Sequence, residues 1–144
     1  MVLTKQSLGL IRVSTAVLTL ALLLTSATSG CAFPEEAFDG SLEGSYYVNG
    51  FDQQDVEYSG LLTITATDDP AIYEMQWIIT GSVQEGTGEV VGNELRVAWE
   101  AIEGFDTASQ GSAIYLINAN GELDGERSVD GQEGIGTEEA FPIR

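Results

Sequence analysis

Along most of this chain the apolar residues recur at every second position. They do so in short runs cut by turn-forming residues, a period that suits strands with one buried face and not helices. The pattern is clearest over residues 57–92. Glu57-Tyr58-Ser59-Gly60-Leu61-Leu62-Thr63-Ile64-Thr65-Ala66-Thr67 leads into Asp68-Asp69-Pro70, then into Ala71-Ile72-Tyr73-Glu74-Met75-Gln76-Trp77-Ile78-Ile79-Thr80-Gly81. Two β-branched and aromatic runs around a short acidic turn predict a hairpin. Alternation puts Tyr58, Leu62, Ile64 and Ala66 on one face of the first run, and Tyr73, Met75, Trp77 and Ile79 on one face of the second.

The same reading carried along the chain gives about eight strand candidates at close spacing. They fall at 44–51, the two runs above, 82–91, 93–100, 112–118, 122–128 and 132–140, with 101–111 as a longer loop. Gly92-Asn93 reads as a two-residue turn, and Asn120-Gly121 as a type I′ hairpin turn. No apolar stripe of helical period follows residue 31. Short linkers make neighbouring strands antiparallel. A run of short strands in meander order closes on itself to remove exposed edges. The fold class is therefore all-β: a single small antiparallel meander barrel over 43–144. Its expected core is Leu62, Ile64, Tyr73, Met75, Trp77, Leu95, Val97, Trp99, Tyr115 and Ile117. A slip of one residue in any strand would turn its members outward.

Residues 1–30 read as an export signal. Lys5 and Arg12 precede an apolar stretch over 13–24, followed by small polar residues up to Gly30 and then Cys31. That stretch has the length of a signal peptide and is too short for a membrane span. Ser29-Gly30-Cys31 resembles the end of a bacterial lipobox. The resemblance implies cleavage before Cys31, lipidation of its thiol and a membrane as partner through it, in the outer membrane where the cell has one. Ordinary secretory cleavage with a free thiol is the alternative. Several acyl chains anchor a protein firmly where one holds it only marginally. Residues 31–42 read as an acidic flexible tether, with Phe33 and Phe38 free to dock on the membrane or the domain.

Charge excludes some partners. From Cys31 onward only Arg96, Arg127 and Arg144 are basic, against 23 acidic residues, a balance of −20. Such a surface repels nucleic acid and anionic lipid headgroups. With no histidine and a single cysteine, triad catalysis and internal disulfides are excluded. Carboxylate pairs alone leave room for a glycosidase-like hydrolase, but the thin acid-base repertoire argues for a protein that is not an enzyme. No cofactor and no metal are expected. The loop over 118–126 is rich in Asn, Glu and Asp, yet Leu123 and Val129 stand where an EF-hand needs glycine and glutamate.

The runs Gly44-x-Tyr46-x-Val48-x-Gly50, Tyr58-x-Gly60-x-Leu62-x-Ile64, Tyr73-x-Met75-x-Trp77 and Gly121-x-Leu123-x-Gly125 resemble those of a loose set of small exported bacterial lipoproteins of unknown function. Their pattern is similar to that of calycin-like barrels, the avidin and lipocalin type. This resemblance implies a fold and no particular ligand, since neither the lipocalin Gly-x-Trp opening nor an avidin-type biotin set is present. The candidate ligand-binding residues are Tyr73, Met75, Trp77, Trp99 and Tyr115, which either line a cavity or simply fill a small barrel. The expected function is a membrane-anchored cell-envelope binding module, for a small apolar ligand in the barrel or an envelope protein on its rim. A structural spacer with no ligand is the alternative.

Overall fold

A computed structural model describes residue 38 and residues 40–144. Eight strands follow in order: β1 (Gly44–Phe51), β2 (Glu57–Ala66), β3 (Ile72–Ile79), β4 (Ser82–Val91), β5 (Glu94–Gly104), β6 (Gln110–Ile117), β7 (Leu123–Val129) and β8 (Gly136–Pro142). Each pairs antiparallel with the next, and β8 returns to β1, with Tyr46 opposite Pro142 and Phe51 opposite Thr137. The sheet is a closed meander barrel, so no strand edge stays unpaired.

Period-two alternation fixes what fills it. Leu62 faces Trp77, Ile64 faces Met75 and Leu95 faces Tyr115 across neighbouring strands, all pointing inward. Every residue expected in the core is buried there, with Tyr46, Val48, Leu123 and Ala140 added from the terminal strands. Burying a side chain such as Leu62 contributes roughly 1.5–3 kcal/mol.

The two ends of the barrel differ. At one end lie the connections 67–71, 92–93 and 118–122 and both termini of the domain. Leu42 is buried there, Phe38 packs against the core, and the Tyr46 hydroxyl donates to the Leu42 carbonyl at 2.7 Å. Burial, and then the neighbouring Tyr73, push the Tyr46 hydroxyl up to about 12. This end is plugged, and the last residues of the segment read as a tether belong to the domain. At the other end lie the connections 52–56, 80–81, 105–109 and 130–135, and that end stays open.

Several local readings need correction. β5 does not stop at Glu100: it runs to Gly104, and β6 begins at Gln110, so the expected 101–111 loop shrinks to 105–109. Val83 pairs with Glu103 but Gln84 with Ala101, leaving Ile102 as the extra residue of a β-bulge. The bulge breaks the alternation, which made this stretch look irregular. β8 starts at Gly136 because Gly131 and Gly134, at φ of 77° and 97°, hold the preceding residues in turns. Asn120-Gly121 is not a type I′ turn. Only Gly121 has positive φ, at 83°, and its amide donates to the Asn118 carbonyl at 2.8 Å. That is a type I turn closed by a left-handed glycine, a commoner choice for a three-residue loop. Ala66, expected inside, is exposed at the very end of β2.

Candidate functional site

Three strands carry a polar residue at an inward position. On β7 the inward phase is Leu123, Gly125, Arg127 and Val129; on β8 it is Gly136, Glu138 and Ala140; on β4 it includes Gln84. Arg127, Glu138 and Gln84 are all buried, at 5%, 1% and 8% exposure. Isolated buried charges are very costly, so their partners decide whether the arrangement is viable.

Glu138 is fully engaged. Its Oε1 accepts from Trp77 Nε1 at 2.9 Å and from the Tyr115 hydroxyl at 2.6 Å. Its Oε2 accepts from the Tyr58 hydroxyl at 2.7 Å and from the Arg127 guanidinium at 2.6 Å. All four partners are donors, which suits an acceptor-only carboxylate. A second guanidinium nitrogen of Arg127 donates to Gln84 Oε1 at 2.6 Å. The guanidinium carbon also lies 5.1 Å from the ring centre of Trp77 and 4.7 Å from that of Trp99, both cation–π distances. Among the described residues no buried side-chain nitrogen or oxygen lacks a partner.

This environment sets the proton states. Burial first, and then the Glu138 charge, push the Tyr115 hydroxyl well above its ordinary value, with Arg127 offsetting only part. The Tyr58 hydroxyl moves up for the same reasons in the same order. Burial works to lower the Arg127 guanidinium, but Tyr115, Glu138 and Tyr58 together outweigh it, and the group is held above its usual range.

Glycines make room for the rings. Gly125 pairs with Tyr115, and a Cβ at Gly125 would overlap the tyrosine ring. Gly50 pairs with Tyr58, where a Cβ would sit 2.5 Å from the ring. Both phenols therefore lie flat over a bare backbone, with their hydroxyls carried to Glu138.

Above this network, at the open end, is a recess of about 240 Å³. Phe51, Val56, Ile79 and Val129 give it apolar surface, Asp52, Gln53, Glu57, Thr80 and Ser82 polar surface, and Tyr58, Gln84, Trp99 and Arg127 line it from the interior. The 52–56 connection borders it. Asp52 Oδ1 accepts from the Gln54 and Val56 amides, Asp55 adopts a φ of 60°, and Gln53 Nε2 donates to the Arg127 carbonyl at 3.1 Å. A larger hollow of about 750 Å³ lies on the outer face, between exposed threonine, glutamine and carboxylate side chains of β2 to β6. Among the described residues no three His, Cys, Asp or Glu side chains converge as metal ligands would.

Of the candidate ligand-binding residues, Trp77, Trp99 and Tyr115 are brought together around Arg127 and Glu138, and Trp99 also lines the recess. Tyr73 and Met75 pack into the core toward the plugged end, opposite Gly88 and Gly86. Cys31 lies outside the described residues. Sequence reasoning missed Arg127, Glu138, Gln84 and Tyr58 as a set. The available signal was phase: each falls on the inward parity of its strand.

No protein-family model matches this chain, and a search of curated proteins finds no match either. Among solved structures, one that matches is described as the de novo design of a fluorescence-activating β-barrel. It shares 12% sequence identity at a TM-score of 0.58, over 70% of this chain and 93% of that one. At such low identity the likeness is one of fold.

Proposed function

We propose that this chain is a lipid-anchored cell-envelope protein whose calycin-like barrel is a non-catalytic binding module, taking a small molecule at its open end. One observation carries the reading. A recess lined by both apolar and polar residues lies at the end opposite the chain's entry, and buried polar groups able to orient a ligand are part of its lining. Small-molecule sites usually hold few polar groups among apolar walls; this recess is more polar, with Asp52, Glu57, Gln84 and Arg127 in its lining, and its volume lies below their typical range of roughly 300–1,000 Å³. The ligand is therefore small, or enters by one end only.

The anchor reading fits this polarity. Cys31 lies seven residues before Phe38, which packs at the plugged end. Extended chain reaches at most about 3.6 Å per residue, so seven residues hold Phe38 within about 25 Å of a lipid at Cys31. Around the open end Phe51, Val56, Ile102, Phe105 and Ile135 are exposed, Phe105 at 97%, which supports a protein contact on the rim as a second use. The spacer reading is favoured by the side chains that fill the barrel below the recess.

The test has two arms. Mass spectrometry of the membrane-extracted protein shows an amino terminus at Cys31 bearing acyl chains; an unmodified thiol or cleavage elsewhere rejects the anchor. A thermal-shift screen of small neutral and charged compounds finds stabilising ligands, and Val129→Phe, which fills the recess, abolishes their effect. If no compound stabilises the protein, or Val129→Phe leaves the effect intact, the recess is not the site.

A further inference from the structure

The chemistry of the recess narrows its ligand. Arg127 has five N–H donors. One guanidinium terminus donates to Glu138, the other to Gln84, and Nε makes no bond to the protein. Because no fully buried side-chain nitrogen or oxygen among the described residues is without a partner, that Nε keeps some accessible surface, and the recess is a hollow that Arg127 lines. Gln84 adds a second donor, since its Nε2 has only a long 3.4 Å contact to Ser82 Oγ.

The acceptors beside them are occupied. Both Glu138 oxygens take two hydrogen bonds each, and Gln84 Oε1 takes Arg127. A donor at the ligand's buried end would find these acceptors taken, because the other carboxylates of the lining, Asp52 and Glu57, are half-buried and exposed, and a ligand with no polar end would leave the Arg127 donor unmet.

Charge then separates two kinds of acceptor. The Arg127 charge is already matched by Glu138 at 2.6 Å. An anion entering the recess would add an uncompensated charge beside Asp52 and Glu57, which also line it, in a chain with a balance of −20 from Cys31 onward. A neutral carbonyl oxygen meets the same donors without that penalty.

We propose, resting on the binding reading above, that the recess takes a small neutral molecule which presents a carbonyl-type oxygen to Arg127 Nε and Gln84 Nε2 and lays its apolar body against Phe51, Val56, Ile79 and Val129. It discriminates against carboxylates of the same size.

The experiment uses three probes that share a benzene ring: acetophenone, ethylbenzene and benzoate. Each is titrated into the purified full chain while the arginine Nε–H and tryptophan indole signals are followed by NMR. Acetophenone is expected to bind at least about tenfold more tightly than either of the others, as a hydrogen bond to a charged donor allows. It should also move the Arg127 Nε–H downfield. Val129→Phe should remove binding while leaving the folded spectrum in place. Equal binding of ethylbenzene and acetophenone would keep the recess as a site but overturn the acceptor inference. Benzoate binding tightest would overturn the claim of neutrality. If none of the three binds, the inference falls together with the binding reading.

Discussion

Replacing Glu138 by glutamine tests the interior network with almost no change of shape. The carboxylate accepts from two donors on each oxygen. A glutamine keeps one acceptor oxygen, so its amide NH₂ must face a donor pair, either Tyr58 with Arg127 or Trp77 with Tyr115. In both orientations Arg127, only 5% exposed, loses its counter-charge. Breaking a buried pair on one side costs about 3–5 kcal/mol, a large share of the roughly 5–15 kcal/mol that holds a domain folded. At about 4–8 °C per kcal/mol for a domain of this size, the melting point should fall by at least about 12 °C. Arg127→Met is expected to cost less, about 1.5–3 kcal/mol. Glu138 then keeps three neutral donors, whereas Arg127 beside a glutamine keeps no counter-charge. Urea unfolding of both variants, followed by tryptophan emission, gives the comparison, since Trp77 donates directly to Glu138. A loss below about 1 kcal/mol for Glu138→Gln, or a larger loss for Arg127→Met, would refute the reasoning.

Other expectations follow from the same geometry. Gly125→Ala should destabilise by about 1–3 kcal/mol in the same urea assay, because its Cβ overlaps the ring of Tyr115 and forces the hydroxyl off Glu138. Stability should fall at alkaline pH: Tyr46, Tyr58 and Tyr115 hold their protons in the fold above the ordinary phenol value, so their contribution is intact below about pH 10 and is lost as pH rises beyond it. A melting point unchanged between pH 9.5 and 11.5 would contradict this. With a balance of −20 after Cys31, the melting point should rise with sodium chloride from about 0.01 to 0.1 M as repulsion is screened, and calcium at matched ionic strength should add no specific shift.

The strand order was legible because most inward positions carry an apolar side chain, as in Leu62-Thr63-Ile64 and Leu95-Arg96-Val97. Reading failed where a local device breaks that period: the bulge at Ile102, and the two left-handed glycines before β8. It also failed at the network, for a physical reason. A polar residue in inward phase looks like evidence against a strand until its partners are known, and most of those partners come from strands far away in sequence. Arg127 meets Gln84 and Glu138, and Glu138 meets Tyr58, Trp77 and Tyr115. Nothing within the Gln132 to Ala140 stretch alone announces four donors waiting across the barrel. The candidate tryptophans and Tyr115 were found by their size, while the charge they surround was not.

The closing seam between β1 and β8 has a kinetic consequence. Every other strand pair is a hairpin of near neighbours, which can zip at little entropic cost, but this pair joins opposite ends of the domain. Glu138 rides on the strand that arrives last in the chain. During synthesis Tyr58, Trp77, Tyr115 and Arg127 all emerge before their common acceptor, so the barrel stays an open, curling sheet until the final residues appear. Folding should therefore proceed as local zippering followed by one late locking step, and a chain truncated before β8 should persist as an edge-exposed, aggregation-prone species instead of a smaller barrel.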